Sequence, residues 1–432
     1  MRITRGSVTW AKRVFVAVVL VGAAVIPGRA NSQQPERCAG VRCSAAGSIL
    51  WSVGLPGLWL TEPGVSGTVP AKVGAYAAIG GGLAVLGAGT AVSGFDEATG
   101  KRLWRVAFTT LPAGSAIVGV RAFAGVVAVG VTVPPGQSIT GQPVRGRTAR
   151  DLSGATRYEI MLSGSTGRQI RIYPAASYGG AVAATSASTV VVGTQAITAY
   201  DNATGRVRWS WATGPGSQTW RVSGDTIYAT DGRGSRGAGS TELLWINLNT
   251  GVHHVVRLAS GTILGSLSDA IGNVVLFSGA DGVQAFNGIT GGKPLWSRPG
   301  AELELAGSGD GIVYLVSGNR LIGVNLATHL AVSSAPISVA ASLYWETGGV
   351  ALGLDQSGLG EAWGYNLRTR RIVWTSGSLP WPHFFVDLSG LGGSASSGST
   401  IALLATCAQV GAAQTANSAP VCRRPVLDAI RI

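Results

Sequence analysis

From residue 48 onward, apolar and polar residues alternate with a period of two over short runs, and glycine interrupts the runs. Ile197-Thr198-Ala199-Tyr200, Arg206-Val207-Arg208-Trp209 and Asp225-Thr226-Ile227-Tyr228-Ala229-Thr230 are representative. Alternation of this kind places every second side chain on one face, which is strand geometry, and glycine at the ends of the runs predicts tight turns. Helical spacing is nearly absent after residue 30, and 65 of the 432 residues are glycine. The predicted class is all-β.

The runs are organised by a repeated turn. Its clearest copies are Phe95-Asp96-Glu97-Ala98-Thr99-Gly100-Lys101-Arg102-Leu103-Trp104 and Tyr200-Asp201-Asn202-Ala203-Thr204-Gly205-Arg206-Val207-Arg208-Trp209. Weaker copies carry Ser163 with Gly167, Asn247 with Thr250 and Gly251, Asn287 with Thr290 and Gly291, Asn325 with Thr328, and Asn366 with Thr369; Asp428 is read as the eighth. The first positions, 96, 163, 201, 247, 287, 325, 366 and 428, are separated by 38 to 46 residues except for gaps of 67 and 62. The long gaps hold Gly/Ser-rich insertions. An Asp or Asn here accepts bonds from N–H groups two or three residues on, and the glycine supplies the positive φ of a bulged hairpin. About 40 residues and four strands per unit is propeller spacing.

These features predict an eight-bladed β-propeller of four-stranded antiparallel blades over 48–432, with seven blades as the alternative if the Ser163 copy is an inserted hairpin. The last unit lacks a fourth strand, and Ser48-Ile49-Leu50-Trp51-Ser52-Val53 has the form of that strand, so the N-terminal strand is expected to close the ring. Trp51, Trp104, Trp209, Trp296 and Trp374 recur at one place in the unit and are expected to pack between blades.

The Asp-x-x-Thr-Gly…Trp repeat resembles that of the pyrroloquinoline-quinone (PQQ) propellers, a family including quinoprotein dehydrogenases, the BamB-like propellers of outer-membrane assembly and some sensor domains. The resemblance covers 48–432. It implies the fold strongly and a function weakly, because one fold hosts many functions. The enzymes of the family hold PQQ against an adjacent Cys-Cys disulfide beside Ca²⁺, and this chain has no adjacent cysteines. No catalytic or cofactor residue carries over, so PQQ and Ca²⁺ are not expected.

Residues 1–30 read as a signal peptide, with Arg2, Arg5, Lys12 and Arg13 before the apolar stretch 14–27 and cleavage near Ala30; an uncleaved anchor is the alternative. The chain is then exported to the cell envelope or secreted. The leader holds five basic and no acidic residues, leaving +8 of the formal +13 on the mature chain. Segment 31–47 carries Cys38 and Cys43; Cys407 and Cys422 lie near the other end. Four cysteines in an exported chain predict disulfides. Cys407–Cys422 with Cys38–Cys43 is favoured, and pairing of the N-terminal cysteines with the last blade is the rival. Either arrangement protects the seam of the ring.

Arg145/Arg147/Arg150, Arg233/Arg236 and Arg368/Arg370/Arg371 fall in loops or turns, as solvated groups or as contacts to anionic envelope polymers. Nucleic-acid binding is disfavoured because no aromatics interleave with them. His253 and His254 are adjacent on a strand and point to opposite faces, so they do not chelate one metal. Glu302/Glu304, Glu346 and Asp387 fall in or near the first strands of the last three blades, as a channel rim or as exposed strand ends. Leu55–Leu60 and Trp381–Phe385 are aromatic, proline-rich junctions suited to partner contact or to packing. The expected function is a monomeric, non-catalytic envelope propeller that scaffolds or recognises a protein partner; the alternatives are a PQQ-dependent oxidoreductase and a sensor domain.

Overall fold

The computed structural model describes residues 49–54, 75–139, 156–175, 180–185, 187–193, 196–212, 219–230, 242–259, 265–306, 311–318, 320–336, 341–347, 350–355, 362–366, 371–375, 384–385, 401–407, 410–411, 421–422 and 425–431. Beyond Val332 side chains are described only at Val350, Gly364, Asn366, Ile401, Leu403 and 426–431. The signal segment, Cys38, Cys43, Asp387 and the basic loops around 145, 233 and 368 lie outside the described residues, as do 55–60 and 381–383.

Eight four-stranded antiparallel sheets form among the described residues, with one two-stranded hairpin. They are the blades of a β-propeller. Blades one to seven occupy 75–107, 116–175, 180–212, 219–257, 266–299, 302–336 and 341–375, each with its strands in chain order. Ser163 ends the third strand of a complete blade two rather than of an inserted hairpin. Blade eight follows the order Phe384–Phe385, Ile401–Cys407, Pro425–Arg431, and is completed by Ile49–Gly54 from the N-terminal side.

First strands lie innermost where neighbouring blades meet through them. First strands of neighbouring blades meet between one and two, four and five, five and six, and six and seven. Second strands are buried on both faces, as in Leu83–Ala88 and Val126–Val133, third strands are partly buried, as in Ala91–Asp96, and fourth strands are largely exposed, as in Val207–Ala212 and His253–Arg257. The core is a series of layers between blades. Trp104 and Val85 of blade one pack with Val129 and Ile160 of blade two; Ile197 of blade three with Trp220 and Ile227 of blade four; Leu403 and Leu427 of blade eight with Ala77 and Leu86 of blade one. Sheets stacked in this way bury alternating apolar faces that neither blade covers alone.

The seam reproduces the geometry of a covalent hairpin. Trp51 lies opposite Ala429, and the register shifts between Ile49 and Trp51. Trp104 lies opposite Gly94, Trp209 opposite Ala199 and Trp374 opposite Gly364, each with a shift at the same place. This register corrects one expectation. In the other blades the turn residue follows the partner of the tryptophan by two positions, so Arg431, not Asp428, occupies the turn position of blade eight. Asp428 stands in mid-strand opposite Leu404, is buried, and accepts a hydrogen bond from the Ser52 hydroxyl. The Asp-led spacing suggested a turn there, but strand pairing sets the phase.

Candidate functional site

The turn residues form a closed local network. Thr99 donates its N–H (2.9 Å) and hydroxyl (2.6 Å) to Asp96 Oδ1, and Gly100 N–H reaches the Asp96 carbonyl at 2.9 Å with φ of 67°. Thr204 serves Asp201 in the same way, at 2.8 Å for both bonds, and Gly205 N–H donates to the Asp201 carbonyl. Thr250 and Thr290 donate N–H groups to Asn247 and Asn287, and Gly251 and Gly291 take the glycine place. At the Asn325 turn His329 holds that place at φ 61°, the one non-glycine residue with positive φ among the described residues. The Thr99 hydroxyl holds the Asp96 carboxyl below its ordinary value, and the Thr204 N–H does so for Asp201. These bonds brace the hairpin.

Each turn also receives the outer strand of the preceding blade. Trp51 lies over Gly100 and donates its indole N–H to the Glu97 carbonyl at 2.8 Å. Trp104 does the same over Gly167 to the Gly164 carbonyl (2.6 Å), and Trp209 over Gly251 to the Leu248 carbonyl (3.3 Å). A Cβ on any of these glycines would collide with the ring. Trp296 packs with Leu276, Val313 and Leu326; the side chain of Trp374 is outside the described residues. In blade two Arg171 takes the tryptophan place: its guanidinium lies at Gly205 and donates to the Ala203 carbonyl at 2.8 Å. Counting eight residues from the turn residue, as from Asp96 to Trp104, leads from Ser163 to Arg171. Blade four has no register shift on its fourth strand, and main-chain bonds between Arg257, Ala259 and Gly292 make the junction instead.

A second set of charges lies inside. Arg121, Arg157 and Glu159 of blade two are all buried and face blade three. Arg157 Nη2 is 3.5 Å and Arg121 Nη1 3.9 Å from Glu159 Oε1. Arg121 donates to the Ala181 carbonyl at 2.8 Å, and Ala181 N–H donates to Glu159. Ala181 sits at the β-bulge of the blade-three first strand, where the ladder leaves peptide groups unpaired. Arg221 of blade four repeats the device: its Nε donates to the Ser268 carbonyl, at the bulge of the blade-five first strand, and Asp269 stands beside it. Burial raises the carboxyls of Glu159 and Asp269 and lowers the guanidinium of Arg121, because the charged forms lose water. A Cβ on Gly180 would collide with Glu159 and Arg121, so blade three closes directly over the cluster. It is inter-blade structure. The signal for it was a single charge in an apolar run, as in Ala116–Phe123, and a same-face pair in Thr156–Ser163.

Glu302 and Glu304 lie on the first strand of blade six and Glu346 on that of blade seven. Cys407 ends the second strand of blade eight, and Cys422 lies in the hairpin that extends it, opposite Val410. His253 stacks against Trp211 of blade three at 3.6 Å and His254 over Trp245 at 4.7 Å, so both have packing roles. Among the described residues no cluster of His, Cys, Asp and Glu is arranged to hold a metal, and no helix is long and apolar enough to cross a membrane.

The exposed candidate is the outer belt. The eight fourth strands carry seven arginines, 102, 105, 171, 208, 257, 298 and 371, and no Asp or Glu; Arg371, expected in a loop or turn, begins the fourth strand of blade seven. The eight first strands carry four acidic residues, Asp269, Glu302, Glu304 and Glu346, and two arginines. Charge is therefore sorted radially. The large exposed apolar residues among those described, Leu103, Val207, Val252, Val255, Ile289, Leu330 and Val332, all fall within a turn or between it and the end of the following fourth strand.

No protein-family model matches the chain. No curated protein matches it. Among solved structures it is similar to BamB from Moraxella catarrhalis (18% identity, 65% of this chain and 82% of that one, TM-score 0.43), to Hsv2 from Kluyveromyces lactis (8%, 69% and 96%, 0.44), and to quinohemoprotein alcohol dehydrogenase from Comamonas testosteroni (13%, 81% and 73%, 0.42). At these scores the likeness carries no argument, and fold and function are read from the chain's own strands and residues.

Proposed function

We propose that this chain is an exported, non-catalytic β-propeller that recognises a protein partner at the bacterial cell envelope. The observation that carries the reading is the outer belt: the large exposed apolar side chains described above lie along it on five blades, alongside arginine. Apolar anchors within a polar rim are the composition of a binding surface. The turn carboxyls each accept two hydrogen bonds from their own threonines to brace the hairpin, and the buried Arg121–Glu159–Arg157 cluster is closed off by blade three. The leader at 1–30 supports export, and the four cysteines support an oxidising compartment.

Crosslinking on intact cells, with mass spectrometry of the adducts, tests the reading. One dominant envelope protein joined through belt residues is the expected result; recovery of bulk protein alone overturns it. Dye-linked alcohol oxidation after addition of PQQ and Ca²⁺ would instead establish the quinoprotein reading.

A further inference from the structure

We infer that the outer edge of blade one, strand Arg102–Ala107, is a docking site for an extended acidic segment of a partner protein, which pairs to it as a fifth strand. The inference rests on the partner-recognition reading and assigns it a place and a chemistry.

An unpaired edge strand is a template for another chain, and proteins blunt such edges with proline, shortness, charge, a bulge or a cover. Most of the described edges here are blunted. The fourth strand of blade two contains Pro174, and those of blades five and six end at Pro299 and Pro336. Blade five has only four residues in that strand. The end of blade four is covered by the bridge from Leu258 to Gly292. In blade three, Trp211 is covered by His253. Blades one and eight keep six-residue, proline-free edges with no strand paired on the outer side among the described residues; of the two only blade one carries charge, and past its bulge between Arg102 and Trp104 the strand pairs regularly to Ala107.

The side chains on that edge specify the occupant. Lys101, Arg102 and Arg105 are exposed, and Leu103 is 47% exposed between them. Trp104 is turned inward to its slot on blade two. Protection against edge pairing needs charge of either sign, yet the fourth strands carry arginine and no acid, so blunting alone does not account for the bias. Main-chain pairing would supply affinity, and alternate acidic side chains meeting Arg102 and Arg105 would supply selectivity, with an apolar residue over Leu103. The belt runs around several blades, whereas a flat lipid surface meets a ring along one side only, which favours an extended peptide.

The test uses the full chain and a short fluorescein-labelled peptide of alternating Glu and Val, read by anisotropy. Three comparisons accompany it: the same peptide N-methylated at alternate residues, the R102E/R105E double variant, and phosphatidylglycerol vesicles. Both substituted residues are exposed, so the variant retains the fold, and circular dichroism checks this. The expected result is saturable binding that weakens by roughly tenfold with the N-methylated peptide and by roughly tenfold in R102E/R105E, with slowed amide exchange confined to 102–107. Equal binding of the N-methylated peptide, unchanged affinity in R102E/R105E, or binding to vesicles without binding to peptide overturns the inference. If R102E/R105E still captures the wild-type partner on cells, blade-one docking fails while partner recognition stands.

Discussion

The seam between blades eight and one and the junction between blades two and three solve the same problem with opposite chemistry. At the seam an indole lies over Gly100 and gives one N–H to the Glu97 carbonyl. At the other junction a guanidinium lies at Gly205 and gives one N–H to the Ala203 carbonyl. Behind it the interface is charged, with Arg121, Glu159 and Arg157 where the seam has Phe95, Leu403 and Leu427. The slot is thus defined by its floor: a glycine without a Cβ beside an outward carbonyl. Any flat side chain with an N–H at its edge fits, and the depth of apolar cover behind it differs from junction to junction.

Substitutions separate the two solutions. Trp51→Ala removes the large apolar side chain from the one blade held by a non-contiguous strand, and should cost about 3–5 kcal/mol in denaturant unfolding. A loss no greater than that of an exposed residue would mean the seam does not depend on its tryptophan. Arg121→Met should cost less, about 1–3 kcal/mol, because the Ala181 carbonyl loses its donor while the remaining Arg157–Glu159 pair stays neutral. Its second effect is a further rise of the Glu159 carboxyl, read by NMR titration. Asp96→Ala removes the acceptor for two Thr99 donors at the edge of the Trp51 slot and should cost about 1 kcal/mol, measured as a lower Tm.

The smallest effect is in the pH profile, and its sign differs between turn and interior. Asp96 lies below its ordinary value, so its contribution is present above that value and lost as pH falls through the lowered one. Glu159 is raised by burial, with Arg121 and Arg157 offsetting this only in part. Its contribution is present below the ordinary glutamate value and lost as pH rises through the raised one. Asp96→Asn should therefore flatten the acid side of a Tm–pH curve, and Glu159→Gln the side above it. The reverse pattern would show that burial does not dominate at Glu159.

Much of this is legible in the sequence. Thr99, Gly100 and their counterparts act within a few residues, so spacing alone identifies the hairpin, and Trp104 and Trp209 sit at a constant distance from it. Arg171 follows the same count but carries no aromatic signal. Asp428 shows where local reading fails: its partner Ser52 is distant in sequence, and only pairing with Ile49–Gly54 assigns the turn position to Arg431. Arg121 and Glu159 stand out only as charges within strands, and their burial depends on how blade three lies against blade two.

The sequence by itself determined the β class, the repeating turn and the identity of the closing strand, because each follows from alternation or from hydrogen bonds spanning two to five residues. Tertiary structure alone decided the phase of the last blade, the use of arginine in an indole's slot, the burial of the inner charges, and the sorting of arginine to the rim. Those depend on which strand edges and faces meet. Such meetings join residues far apart in the chain, and no local pattern encodes them.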